Sequence, residues 1–69
     1  MEVHTLDDAF AVYFKEVGDG ADIPANDSDY DRDLGGWLLH NINGPLALVR
    51  GDGTVIYPEH NGEEWVIPV

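Results

Sequence analysis

The chain has 69 residues, with fourteen Asp or Glu against three Lys or Arg, three histidines, no cysteine and a formal net charge of −11. That length allows a single domain, expected to span residues 1–69, which buries about 60% of the surface its unfolded chain exposes and leaves little room for an enclosed substrate cavity. The missing cysteines exclude a disulfide framework and thiolate zinc sites and point to the reducing cytoplasm. The charge excludes bare nucleic acid and anionic membranes as direct partners, because like charges repel, and leaves a basic protein surface or cations.

The opening Met1-Glu2-Val3-His4 has neither a basic region nor an apolar run, so no secretory signal is expected. No apolar stretch approaches the roughly 18 residues of a membrane span. Disorder is the first alternative for so acidic a chain. Against it stands a hydrophobic content of 43%, including Phe10, Tyr13, Phe14, Tyr30, Trp37, Tyr57 and Trp65, arranged in periodic blocks.

The first block predicts a helix over residues 6–17. Leu6, Ala9, Phe10, Tyr13, Phe14 and Val17 follow the i, i+3, i+4, i+7 spacing of one apolar stripe. Thr5 is a good N-cap, and Asp8 three residues on completes a capping-box pattern with aspartate in place of the usual glutamate. Asp7 and Asp8 suit the positive end of the helix dipole, and Gly18 is a natural stop.

Residues 18–35 carry six aspartates, one arginine and many turn formers, and read as one long acidic loop with a short helical turn near Ser28. Beyond it the pattern is strand-like. Gly36–Ile42 runs into Asn43-Gly44, a strong hairpin signal, and Pro45–Arg50 is its partner. Gly51-Asp52-Gly53 turns into Thr54–Tyr57, residues 58–62 turn again, and Glu64–Pro68 closes a four-stranded antiparallel meander. The expected class is α+β: one N-terminal helix packed on that meander, with the acidic loop between them. Pro45 and Pro68 belong at strand ends, the strand holding Pro68 is expected to be an edge, and at least one tryptophan is expected to pack on Phe10, Tyr13 or Phe14.

The charge is concentrated. Residues 1–33 hold ten acids and two bases, a net of −8, whereas residues 34–69 hold four acids and one base, a net of −3. Within the loop, Asp27, Asp29, Asp31 and Asp33 alternate with other residues. On an extended chain such side chains share a face at about 6.6 Å, a regular negative row comparable to that of nucleic-acid phosphates. The expected partner-binding set is Asp7, Asp8, Glu16, Asp19, Asp22, Asp27, Asp29, Asp31 and Asp33, with Glu59, Glu63 and Glu64 as a second, smaller patch.

Competing chemistry fits less well. A calcium loop starting at Asp27 would need glycine and glutamate where Arg32 and Leu38 stand, and one starting at Asp29 meets Leu34 and His40 there. His4, His40 and His60 show no metal-ligand spacing, and no metal or other cofactor is expected. Of the hydroxyl nucleophiles, Thr5 has its capping role, Ser28 lies among repelling acids, and Thr54 has no motif around it, so an enzyme is not expected.

In length, charge and its Asp27, Asp29, Asp31, Asp33 row, the chain resembles the small acidic DNA-mimic inhibitors of bacteriophages, the anti-CRISPR proteins among them. No sequence motif carries this resemblance, and it spans the chain as a profile. It implies an inhibitor that acts in the host cytoplasm without chemistry of its own, as a monomer or weak dimer. Its acidic face would occupy a Lys/Arg-lined site on a CRISPR effector complex that reads target DNA or its PAM. The alternative is an acidic structural or interaction module, with a halophile-type surface or an antitoxin-like role beside a basic protein.

Overall fold

A computed structural model describes residues 2–68. Helix α1 spans Leu6–Val17, over the residues its apolar spacing picks out. Both halves of the capping box are formed. The Asp8 N–H donates to Thr5 Oγ1 at 3.1 Å, and Asp8 Oδ2 accepts from the N–H groups of Thr5 and His4 at 3.2 and 3.0 Å. Gly18 ends the helix at φ 76°, its N–H donating to the Phe14 carbonyl.

These bonds hold Asp8 below the usual carboxylate range, the backbone N–H of His4 being the largest cause. A depressed carboxyl pKa stabilises the fold above its unfolded value of 3.8, and that contribution is lost as pH falls through the folded value. Thr5→Ala should cost about 1 kcal/mol at neutral pH. Asp8→Asn should be less stable than the parent at pH 7, with the difference closing at pH values well below 3.8, as thermal melts would show.

Four strands form one antiparallel sheet in the order β1 (Asp29–Asp31), β2 (Gly36–Asn41), β3 (Gly44–Arg50) and β4 (Val55–Ile56). The expected class, a helix on a four-stranded antiparallel sheet, is the one observed, but its strands are differently assigned. Residues 18–35 are not one loop, since Asp29-Tyr30-Asp31 pairs in register with Leu38, Trp37 and Gly36. Residues 64–68 do not join the sheet. Instead β5 (Glu59–His60) pairs with β6 (Trp65–Val66) as a separate hairpin, and Pro68 lies outside any strand. β4 ends at Ile56, and Pro58 two residues on, having no N–H, cannot extend the ladder.

Alternation assigns each sheet residue to a face. Tyr30, Trp37, Leu39, Ala47, Val49 and Val55 turn to the helix, where Leu39, Ala47 and Val49 join Val3, Ala9 and Tyr13 in the buried core. Trp37 packs on this cluster with Tyr30 as its edge-on ring neighbour at 5.4 Å. Trp65 packs instead on His60 within the C-terminal hairpin. Asp29, Asp31, Leu38, Leu48, Arg50 and Ile56 lie on the opposite face, where Leu48 is also fully buried.

The β2–β3 hairpin turns at Ile42-Asn43. Asn41 Oδ1 accepts the Asn43 N–H at 2.8 Å, and Gly44 carries the positive φ of 124° that no other residue type there would adopt easily. Pro45 is the second residue of β3, opposite His40, where the β2–β3 register shifts by one residue.

Candidate acidic interface

The structure orders the segment around β1 at both ends. Before it, a turn at Ala25–Ser28 docks on His40, near the C-terminal end of β2. The Ala25 N–H donates to the His40 carbonyl, and Ser28 Oγ donates to the Ala25 carbonyl at 2.8 Å and accepts from the His40 N–H at 3.4 Å. Ser28, the one buried polar residue among the described residues, is thereby a structural anchor. After β1, Asp31 Oδ1 accepts from the N–H groups of Asp33 and Leu34 at 2.9 and 3.0 Å, and the Asp31 carbonyl accepts from Gly35. Asp31 therefore has one carboxylate oxygen committed to the turn that leads into β2.

Only Asp29 and Asp31 of the predicted row lie on a strand and share its face; Asp27 and Asp33 sit in the turns on either side. Asp27, Asp29 and Asp33 are exposed and Asp31 is half-buried. The Asp29 carboxylate stands 3.9 Å from Nε2 of His40, a half-buried residue of β2. The four carboxylates lie within one short segment whose backbone is held at both ends.

The remaining predicted residues do not join it. Asp7, Asp8 and Glu16 belong to the helix layer, on the other side of the sheet from the face that carries Asp29 and Asp31. Nine residues apart on a helix of 3.6 residues per turn, Asp7 and Glu16 point about 180° away from each other. Asp8 is consumed by its cap. Near the C-terminal end of α1, burial pushes the Tyr13 hydroxyl up, with Asp22 and Tyr57 adding to the effect, and burial followed by Glu16 does the same to Tyr57. The Tyr13 hydroxyl also donates to the Asp22 carbonyl at 3.3 Å. Glu16 and Asp22 thus flank a tyrosine pair, and Asp19 lies in the exposed turn between the glycines that follow the helix. Glu63 and Glu64 lie in the turn of the C-terminal hairpin, where Asn61 Oδ1 accepts their N–H groups at 3.0 and 2.9 Å, and Glu59 stands at the hairpin's open end opposite Val66. The expected single acidic face is therefore resolved into separate groups, because the aspartates flanking β1 and those of α1 belong to different layers of the fold.

Among the described residues, the close contacts between carboxylates and basic side chains are with histidine, Glu2 with His4 at 3.1 Å and Asp29 with His40 at 3.9 Å, and are ionic only when the ring carries a second proton. Lys15, Arg32 and Arg50 form no such contact among them. No group of three or more metal-ligating side chains is present among the described residues, and no helix there is long and apolar enough to cross a membrane. The hollows are open grooves, one lined by Val3, His4, Tyr30 and Trp37 with a volume of about 470 Å³.

Tyr30 is an exposed aromatic residue that the expected acidic set does not include. It is 53% exposed between two aspartates, and the polar–aromatic–polar alternation of Asp29-Tyr30-Asp31 was the available signal. No family model, curated protein or solved structure matches the chain.

Proposed function

We propose that the protein is an acidic inhibitor that occupies a basic nucleic-acid-binding surface of another protein, excluding nucleic acid by occlusion and without chemistry. The observation that carries this reading is the acidic segment of Asp27, Asp29, Asp31 and Asp33, whose backbone is held by a buried anchor at one end and a carboxylate-capped turn at the other. None of its carboxylates has a Lys or Arg partner among the described residues. In a chain of net charge −11, clustered carboxylates without a Lys or Arg partner among the described residues are stabilised by cations that another molecule supplies. A Lys/Arg-lined surface that reads target DNA, of the kind a CRISPR effector uses, has the required chemistry.

The test is capture from a bacterial lysate on the immobilised protein at about 50 mM and about 500 mM salt, where screening lengths differ severalfold. A nucleic-acid-binding complex should be retained at the lower salt and released both by the higher salt and by duplex DNA. Retention of no such complex would contradict the proposal. The acids of α1 and of the C-terminal hairpin, spread over other faces, favour a second reading in which acidity serves solubility at high salt. That reading requires the fold to fail in dilute buffer.

A further inference from the structure

β1 is an end strand of the sheet, paired with β2 on one side only. An end strand presents a row of backbone N–H and C=O groups to whatever extended chain can approach it. β1 contains no proline and its pairing with β2 runs without a bulge, while its three-residue length and its two aspartates restrict the edge to a short segment of opposite charge. It is also held rigid by the His40–Ser28–Ala25 bonds and the Asp31 turn, so little ordering is required when a partner adds to it.

We infer that this edge is a docking site for an extended basic segment of the partner, which adds to the sheet as a fifth strand. The inference rests on the cation-binding role proposed for the same carboxylates, and it specifies how the partner is read. Side chains directly opposite on neighbouring strands share a face, with Cβ atoms about 5 Å apart. A strand beside β1 would therefore place alternate residues opposite Asp29 and Asp31 and the residue between them opposite Tyr30. The complementary pattern is cationic–apolar–cationic. The apolar residue would meet the exposed Tyr30 ring and the groove lined by Val3, His4, Tyr30 and Trp37. Lysine or arginine on the outer positions would meet the two carboxylates. Charge also excludes a second copy of this chain as the occupant, since Asp29 and Asp31 would then face aspartates of an equally acidic molecule.

The probe is a short synthetic peptide alternating lysine and valine, titrated into the isotopically labelled protein and followed by amide shifts and hydrogen exchange. Two further peptides are compared with it: the same sequence N-methylated along one edge, which keeps every charge but removes backbone donors, and an alternating glutamate–valine peptide. Shifts and new exchange protection should centre on Asp29–Asp31, N-methylation should weaken binding by about tenfold, and the glutamate peptide should not bind. Equal affinity of the N-methylated peptide, or shifts spread over the carboxylates without protection at β1, would overturn strand addition while leaving charge-driven occlusion standing. Failure of the captured partner to release DNA is the separate result that would remove the occlusion reading.

Discussion

Gly36→Ala should lower the melting temperature of the protein by about 10–20 °C, corresponding to roughly 2–3 kcal/mol in a domain of this size. Gly36 stands at the start of β2, between Asp31 of β1 and Arg50 of β3. A Cβ there would lie 2.5 Å from the Val49 carbonyl oxygen, 2.7 Å from the Arg50 Cα and 2.9 Å from the Val49 carbonyl carbon. All three are backbone atoms of the neighbouring strand, so no rotamer change relieves the overlap and β2 must move away from β3. Those two strands carry Leu39, Ala47 and Val49 of the core and the fully buried Leu48. With a total stability of about 3–10 kcal/mol expected for a chain of this length, such a loss is a large fraction of the whole. Gly51→Ala is the control, because a Cβ there meets nothing within 4 Å and its φ is not positive. Circular-dichroism melts of the two variants should separate clearly; coincident melts would show that β2 and β3 do not approach as closely as described.

The second large effect is on binding, with stability moving the other way or not at all. Replacing Asp29 and Asp33 together by lysine changes each position by +2, so the formal net charge goes from −11 to −7. Neither carboxylate is needed by the fold. The Asp29 carboxylate stands 3.9 Å from His40, and Asp33 contributes its backbone N–H to the turn. Affinity for the captured partner should fall by about 100-fold near 50 mM salt, and the deficit should shrink as salt screens the charges. The melting temperature should stay level or rise, because self-repulsion is relieved. Asp31→Lys is a poor substitute, since its carboxylate caps the turn into β2. Titration calorimetry at two salt concentrations, beside a thermal melt, reads both effects; unchanged affinity would remove this group from the interface.

The helix and its caps were legible because every signal for them is local: an apolar stripe from Leu6 to Val17, Thr5 and Asp8 at one end, Gly18 at the other. The same holds for the β2–β3 hairpin, where a short turn fixes which segments meet. The turn itself settles on Ile42-Asn43 with Gly44 behind it, because the Asn41 side chain accepts the Asn43 N–H two residues on and only glycine takes the positive φ cheaply. What the sequence did not reveal depends on distant partners. Aspartate is a poor strand former by composition, so Asp29-Tyr30-Asp31 reads as loop until Tyr30 meets Trp37. At the other end, Glu64–Pro68 has strand composition but pairs locally across Asn61, because β4 stops before Pro58.

The candidate site divides along the same line. The alternation of Asp27, Asp29, Asp31 and Asp33 was visible, but an extended row of four presumes an extended backbone throughout. Turns at Asn26-Asp27 and at residues 32–35 limit the shared face to Asp29 and Asp31. That Asp7, Asp8 and Glu16 belong to another layer follows from which face of the sheet the helix covers, a property of Leu39, Ala47 and Val49 rather than of the acids themselves.

The most direct test of occlusion is a displacement titration on the captured partner loaded with fluorescently labelled duplex DNA. Anisotropy should fall to the free-DNA value as the protein is added, reaching completion near one equivalent, and the Asp29→Lys, Asp33→Lys double variant should require a large excess. DNA that stays bound while the protein also binds would place the acidic group away from the nucleic-acid site and contradict the account.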